Sequence, residues 1–272
     1  MFTTFLLLFS LTALFIFVGK LIAGKKGMII AFVLACVLNF SAYWFSDTMV
    51  LAAYNAQPVP QGHRLERVTR DLAIQAGLPM PKVYIIDTDS PNAFATGRNP
   101  DHAAVAATRG ILGLMNDGEL SAVIAHELGH VKNRDTLVST MAASISGGVL
   151  ILSRMALFFG GSGNASFGKR LAVSMLAPLA ATVITLAISR EREYGADEYS
   201  ARLTKRPVLL ANALLKLERG VQRSPMPDNN PETAHLFIVH PFSADSIGAV
   251  FSTHPPIRKR VERLMKLQNQ IK

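Results

Sequence analysis

Four stretches of this chain, residues 1–19, 27–46, 136–153 and 171–189, contain no charged side chain. Each approaches the ~20 residues that a helix needs to cross the hydrocarbon core of a bilayer. In lipid the backbone must bond to itself, so an open apolar run of this length is either a helix or buried in protein. The first run lacks a basic start, and the second follows within a few residues. That pattern reads as a retained pair of anchors rather than a cleaved leader. The later two runs contain Ser, Thr, Gly and Pro and fit either full spans or a partly buried hairpin. The expected organisation is two N-terminal transmembrane helices (1–46), a first soluble part (47–135), two further transmembrane or membrane-embedded helices (136–189), and a second soluble part (190–272). The fold class follows in outline: a mainly α membrane protein with about four transmembrane helices and a soluble α+β portion carrying a small β-sheet.

Immediately before the third run stands His126-Glu127-Leu128-Gly129-His130, an H-E-x-x-H sequence in a segment of helical character. Residues four apart on a helix share a face, so both imidazoles can reach one ion. The adjacent Glu127 can take a proton from water activated there. Two surface histidines on an ordinary helix are the bland reading, and a third ligand is what separates the two. A hydrolytic zinc site wants three protein ligands and one open position. Just after the fourth run, Glu193 and Asp197 are again four apart. One of these carboxylates can bind the ion while the other accepts the free N–H of a ligating histidine. Spacing alone leaves Glu191 and Glu198 as rivals. If both later runs span, the chain returns to the side it left, and the two halves of the site meet.

Composition narrows the chemistry. The single cysteine, Cys36, lies inside the second run, which excludes intramolecular disulfides and cysteine-rich zinc clusters. The net charge of +9 is spread along the chain and is no nucleic-acid signature. Its densest group (Arg258, Lys259, Arg260, Arg263, Lys266) reads as a solvated helix face with some attraction for anionic headgroups. Basic residues flank both sides of the apolar runs, so the positive-inside bias is split and does not orient the chain.

Between the runs, residues 61–76 read as a helix with Leu65, Val68, Leu72 and Ala73 on one side. Residues 83–86, 92–96 and 103–108 read as short strands, the last two around a turn at 97–101. Asn116-Asp117 supplies an N-cap with Glu119 in the first turn. Residues 207–219 and 255–270 read as helices, and 224–252 as irregular. His63, His102, His235 and His240 read as structural or surface residues.

The order of two N-terminal spans, H-E-L-G-H, two further apolar runs, R-E-Y-x-A-D and Thr253-His254-Pro255-Pro256 resembles the HtpX-type heat-shock metallopeptidases, relatives of the CAAX prenyl endoproteases. The resemblance implies one Zn2+ per chain held by His126, His130 and Glu193, Glu127 as general base, and Asp197 bonding a ligand histidine. It implies a stress-response protease of the bacterial inner membrane, multi-pass, whose zincin-like α+β catalytic domain is built from residues 47–135, with the H-E-x-x-H helix, and 190–272, with the third ligand, and lies in the cytoplasm. Its substrates would be misfolded or damaged membrane proteins, its surroundings the lipid bilayer, with no nucleic-acid partner and no oligomeric state specified. Asn92-Ala93-Phe94 matches the family's N-A-F/Y element and is the expected docking strand for extended substrate. His254 is a candidate donor to the oxyanion, its placement stiffened by the two prolines. Two other functions fit parts of the pattern. A prenylated-peptide endoprotease would need more helices to enclose its substrate, and a non-hydrolytic zinc-binding scaffold has no use for Glu127.

Overall fold

The computed structural model describes residues 2–143, 190–227, 231–242 and 254–271. The third apolar run from residue 144 onward and the whole fourth run lie outside the described residues. Both N-terminal runs are helical and belong to α1 (Phe2–Ala53), which is interrupted at Ala23 (φ −141°, ψ 24°) and Gly24 (φ 58°, ψ −138°). The two limbs fold back on one another. A Cβ added at Gly19 would lie 2.4 Å from the Gly27 carbonyl oxygen, and one at Gly27 2.1 Å from the Gly19 oxygen. Only glycine permits backbones that close. Further from the bend, Asn39 Nδ2 donates to Thr12 Oγ1 at 2.9 Å. Among the described residues, one stretch, Ala23–Phe45, is a helix long and apolar enough to cross a membrane. Its Ile29, Ile30, Phe32, Val37 and Phe40 are exposed.

α1 continues past residue 46, and its end packs beneath a four-stranded sheet. Strands β1 (Gln57–Pro58), β2 (Lys82–Ile86), β3 (Ala93–Gly97) and β4 (Ala103–Thr108) are ordered β1-β2-β4-β3. β2 runs parallel to β4, and the other pairs are antiparallel. β3 pairs with β4 in the register Ala93↔Ala107 to Gly97↔Ala103, the hairpin expected from the sequence. β1 has too few residues to carry an alternating signal. Side chains alternate across the sheet. Val83, Ala93, Ala95, Ala103, Val105 and Ala107 face the main helical core, whereas Ile86, Phe94, Ala104 and Ala106 face Val50, Leu51 and Phe237.

Six helices complete the described fold: α2 (Arg64–Ala76), α3 (Arg109–Leu114), α4 (Asp117–Lys132), α5 (Arg190–Thr204), α6 (Pro207–Arg223) and α7 (Ile257–Gln268). α2 buries Leu65, Leu72 and Ala73 as its apolar spacing requires, with the His63 ring accepting the Leu65 N–H at its start. Residues 135–143 are helical as well, and Pro231–Leu236 forms a 3₁₀ helix in the stretch read as irregular.

Phe94 joins three parts of this arrangement. Its ring lies 5.1 Å from Phe237 and 6.1 Å from Tyr54, and it is wholly buried. Phe94→Ala is expected to cost about 3–5 kcal/mol through lost burial and a residual cavity. A thermal melt in detergent tests this, and an unchanged transition would refute the packing role.

Candidate metal centre

α4 opens with a full capping box. Asn116 Oδ1 accepts the Glu119 N–H at 2.9 Å, and Glu119 Oε2 accepts the Asn116 N–H at 3.1 Å. From that start the helix carries His126 and His130 inward one turn apart, their Nε2 atoms 3.2 Å from each other and their rings perpendicular. α5 crosses α4 at Gly129, where a Cβ would stand 3.1 Å from Tyr199 Cδ1 and 3.2 Å from Ala196 Cα. A larger residue would push α5 away. At this separation Glu193 Oε1 lies 3.5 Å from His130 Nε2, and Glu193 Oε2 lies 3.8 Å from His126 Nε2. Glu191 is exposed and Glu198 is bonded to Arg202 at 2.8 Å, so neither rival carboxylate enters the cluster.

These three residues fit a metal ion. Ligands about 2.1 Å from a tetrahedral centre stand about 3.4 Å apart, and with one atom taken from each residue the three donors lie within 4.8 Å of one another, within reach of a single ion. The outer nitrogens are already engaged: His126 Nδ1 lies 3.0 Å from Asp197 Oδ1, and His130 Nδ1 lies 3.3 Å from Asp135 Oδ2. Each ring therefore turns Nε2 toward the others. Glu193 Oε2 and both nitrogens of His254 are buried without a hydrogen-bond partner among the described residues, although His254 Nδ1 approaches Glu193 Oε2 to 3.1 Å. Buried polar atoms without partners are costly, and a cation at the centre would satisfy the carboxylate oxygen.

The charges are organised by one residue that the sequence concealed. Arg260 is fully buried, donating to both oxygens of Asp197 at 2.9 and 2.7 Å and to the Ile238 carbonyl at 3.0 Å. The sequence places it on a solvated basic face, and its neighbours Arg258, Lys259, Arg263 and Lys266 are exposed. Arg260, however, shares its helix face with buried Ile257 and Leu264, and that spacing was the available signal. Burial opposes charge on Asp197, but Arg260 and then His126 hold its carboxyl below the usual range. Glu193 is likewise held well below that range against burial, by His254, His130 and Arg260. Burial takes His126 down to about 4 against the pull of Asp197. His130 rises to about 9 because Asp135, Glu193 and Glu127 outweigh burial.

Glu127 points to the same cleft. Burial pushes its carboxyl up to about 8, opposed by His130 and by a hydrogen bond from the Ala95 backbone and aided by Glu193. A carboxyl with so high a proton affinity suits a group that takes a proton and returns it. The cleft opens to solvent, with Ala95, Glu127, Thr136, His235, Ile238 and His254 in its walls. Of the anticipated substrate strand, Ala95 reaches the cleft. Asn92 Nδ2 is bonded to the Val239 carbonyl at 2.7 Å, the Ala93 carbonyl accepts the Ile238 N–H at 3.1 Å, and Phe94 faces the core. His235, read as structural or surface, lines the cleft with Nε2 3.0 Å from the Ser139 carbonyl oxygen.

Removing Arg260 would leave Asp197 buried and unpaired. Arg260→Met is expected to destabilise the protein by about 3–5 kcal/mol, with Arg260→Met/Asp197→Leu costing less than the two single changes together. Strict additivity in denaturant melts of the four proteins would count against the pair.

A model of peptidase family M48 matches residues 60–268. The protease HtpX homolog of Syntrophobacter fumaroxidans is 50% identical over 279 residues, covering 98% of this chain and 99% of the relative. That of Pyrococcus furiosus is 49% identical, covering 97% and 94%. Among solved structures, the crystal structure of S. mikatae Ste24p superposes with a TM-score of 0.51 at 20% identity, and the match covers 94% of this chain and 62% of that one. Together with a buried His-His-Glu cluster beside a glutamate, these matches establish that the chain belongs to peptidase family M48 and is a metalloprotease.

Proposed function

We propose that this protein is a membrane-anchored zinc endopeptidase that cleaves misfolded or damaged membrane proteins, with His126, His130 and Glu193 as ligands of one ion. The observation that carries this reading is the mutual approach of those three donors, all within 4.8 Å of one another. A histidine and carboxylate donor set that is three-fold and buried favours zinc over harder cations. When bound there, zinc supplies a Lewis acid that acidifies water and polarises the scissile carbonyl.

The chain's own residues do the rest. Asp197 fixes the His126 ring through Nδ1. Glu127, in the cleft wall beside Ala95, accepts the proton of the attacking water and delivers it to the leaving nitrogen. His254, 3.1 Å from Glu193 with an otherwise unbonded Nε2, is assigned as donor to the developing oxyanion. Substrate is proposed to run along the outer edge of β3. Its main-chain bonds would fall past Ala93, whose carbonyl already accepts the Ile238 N–H, toward Ala95, and away from Asn92, whose side chain is engaged with Val239.

The membrane assignment rests on Ala23–Phe45 and its exposed apolar side chains. Four spans, a catalytic domain divided between residues 47–135 and 190–272, and a bacterial inner-membrane location with the catalytic side in the cytoplasm complete the proposal. Protease added to intact spheroplasts is expected to spare residues 57–132, and their digestion before lysis would reverse the orientation.

Glu127→Gln is expected to keep one zinc per chain while proteolysis of an unfolded membrane substrate falls by about 10²–10⁴-fold, the usual contribution of a general base. Chelation should abolish cleavage by the wild type, and zinc should restore it. Undiminished cleavage by the Gln variant would remove the mechanism.

A further inference from the structure

The two histidines are supported in parallel ways, and only one support was legible in the sequence. His126 leans on Asp197, which is gripped by Arg260. His130 leans on Asp135, whose other oxygen lies 3.3 Å from Arg192 Nε. Asp135 stands five residues beyond His130, past the end of α4, and is buried to 8% exposure. The chain reaches it through Arg134 at φ +60°, a left-handed turn that is uncommon for a residue with a side chain. That bend brings Asp135 back beside the His130 ring instead of carrying it a further turn along the helix axis.

Arg192 gives the pair a second consequence. It directly precedes Glu193 in the first turn of α5. The Asp135–Arg192 contact therefore ties the turn after α4 to the turn that carries the third donor. One carboxylate thus governs two variables: which nitrogen of His130 faces inward, and how closely Glu193 approaches it. Buried on one side and only a quarter exposed on the other, the pair is less screened than a surface ion pair.

We propose that Asp135, held by Arg192, is a positioning residue for the reaction, fixing the His130 ring through Nδ1 and the first turn of α5 through the guanidinium. This rests on His126, His130 and Glu193 being the metal ligands. Residues bonding the outer nitrogen of a ligand histidine typically contribute about 10- to 100-fold to metal affinity, and the same range is expected here.

The test uses the full-length protein in detergent. Zinc affinity is measured by competition with a chromogenic chelator, and the visible absorption of the cobalt-loaded protein reports ligand geometry independently of turnover. Asp135→Asn should weaken zinc about 10- to 100-fold and alter the cobalt bands. Arg192→Gln should weaken it less, and Arg192→Lys should restore part of the loss. Melting curves recorded in excess chelator show whether each variant folds. Should Asp135→Asn fail to fold, the comparison of Arg192→Gln with Arg192→Lys decides, since that side chain is partly exposed. Wild-type affinity and unaltered cobalt bands in both Asp135→Asn and Arg192→Gln would overturn the positioning role while leaving the ligand set intact. Wild-type affinity in His130→Ala or Glu193→Gln would instead overturn the ligand assignment, and the positioning role with it.

Discussion

Glu193 meets His126 and His130 because α4 and α5 pack at backbone distance where Gly129 faces Ala196 and Tyr199. Everything chemical in this protein depends on that crossing. With α5 displaced by the width of a methyl group or two, the carboxylate would stand outside the range in which three donors share one ion. Asp197, one turn further along α5, would lose the His126 ring in the same movement. Gly129 is therefore as much a part of the site as the three donor side chains, although it bears no functional group.

A close crossing of helices that carry Glu127, Glu193 and Asp197 concentrates negative charge in a buried place. Desolvation alone would drive these carboxyls to protonate, and Glu127 does move that way. Glu193 and Asp197 remain on the acidic side because Arg260 and the histidines surround them. Arg260 also donates to the Ile238 carbonyl, so the residue that balances charge holds the cleft wall too. Ile238 in turn bonds the Ala93 carbonyl on the outer edge of β3. The His126, His130 and Glu193 cluster, the cleft wall and the edge strand are thus one connected network.

The sheet links this network to the membrane segment. Its small alanine-rich strands let one face lie on the helical core and the other on the end of α1. Phe94, Tyr54 and Phe237 lock the second face. β3, whose Ala95 lines the cleft together with Glu127, is therefore seated directly on the helix that leads out of the apolar span.

Local signals in the sequence determined a great deal. Helix periodicity placed His126, Glu127 and His130 on one face, and Glu193 with Asp197 on another, because residues four apart meet wherever a helix forms. Charge-free length marked the two helical limbs of α1, short apolar runs between turn residues marked β2 to β4, and Asn116 with Glu119 marked the start of α4. Tertiary structure decided what depends on distant partners. The choice of Glu193 over Glu191 and Glu198, the burial of Arg260 within a basic helix, the Asp135 contact with His130 and the commitment of Asn92 to Val239 all come from packing. A side chain's type reports what it can bond, but only the approach of segments remote in the chain fixes which partner it finds and whether water remains between them.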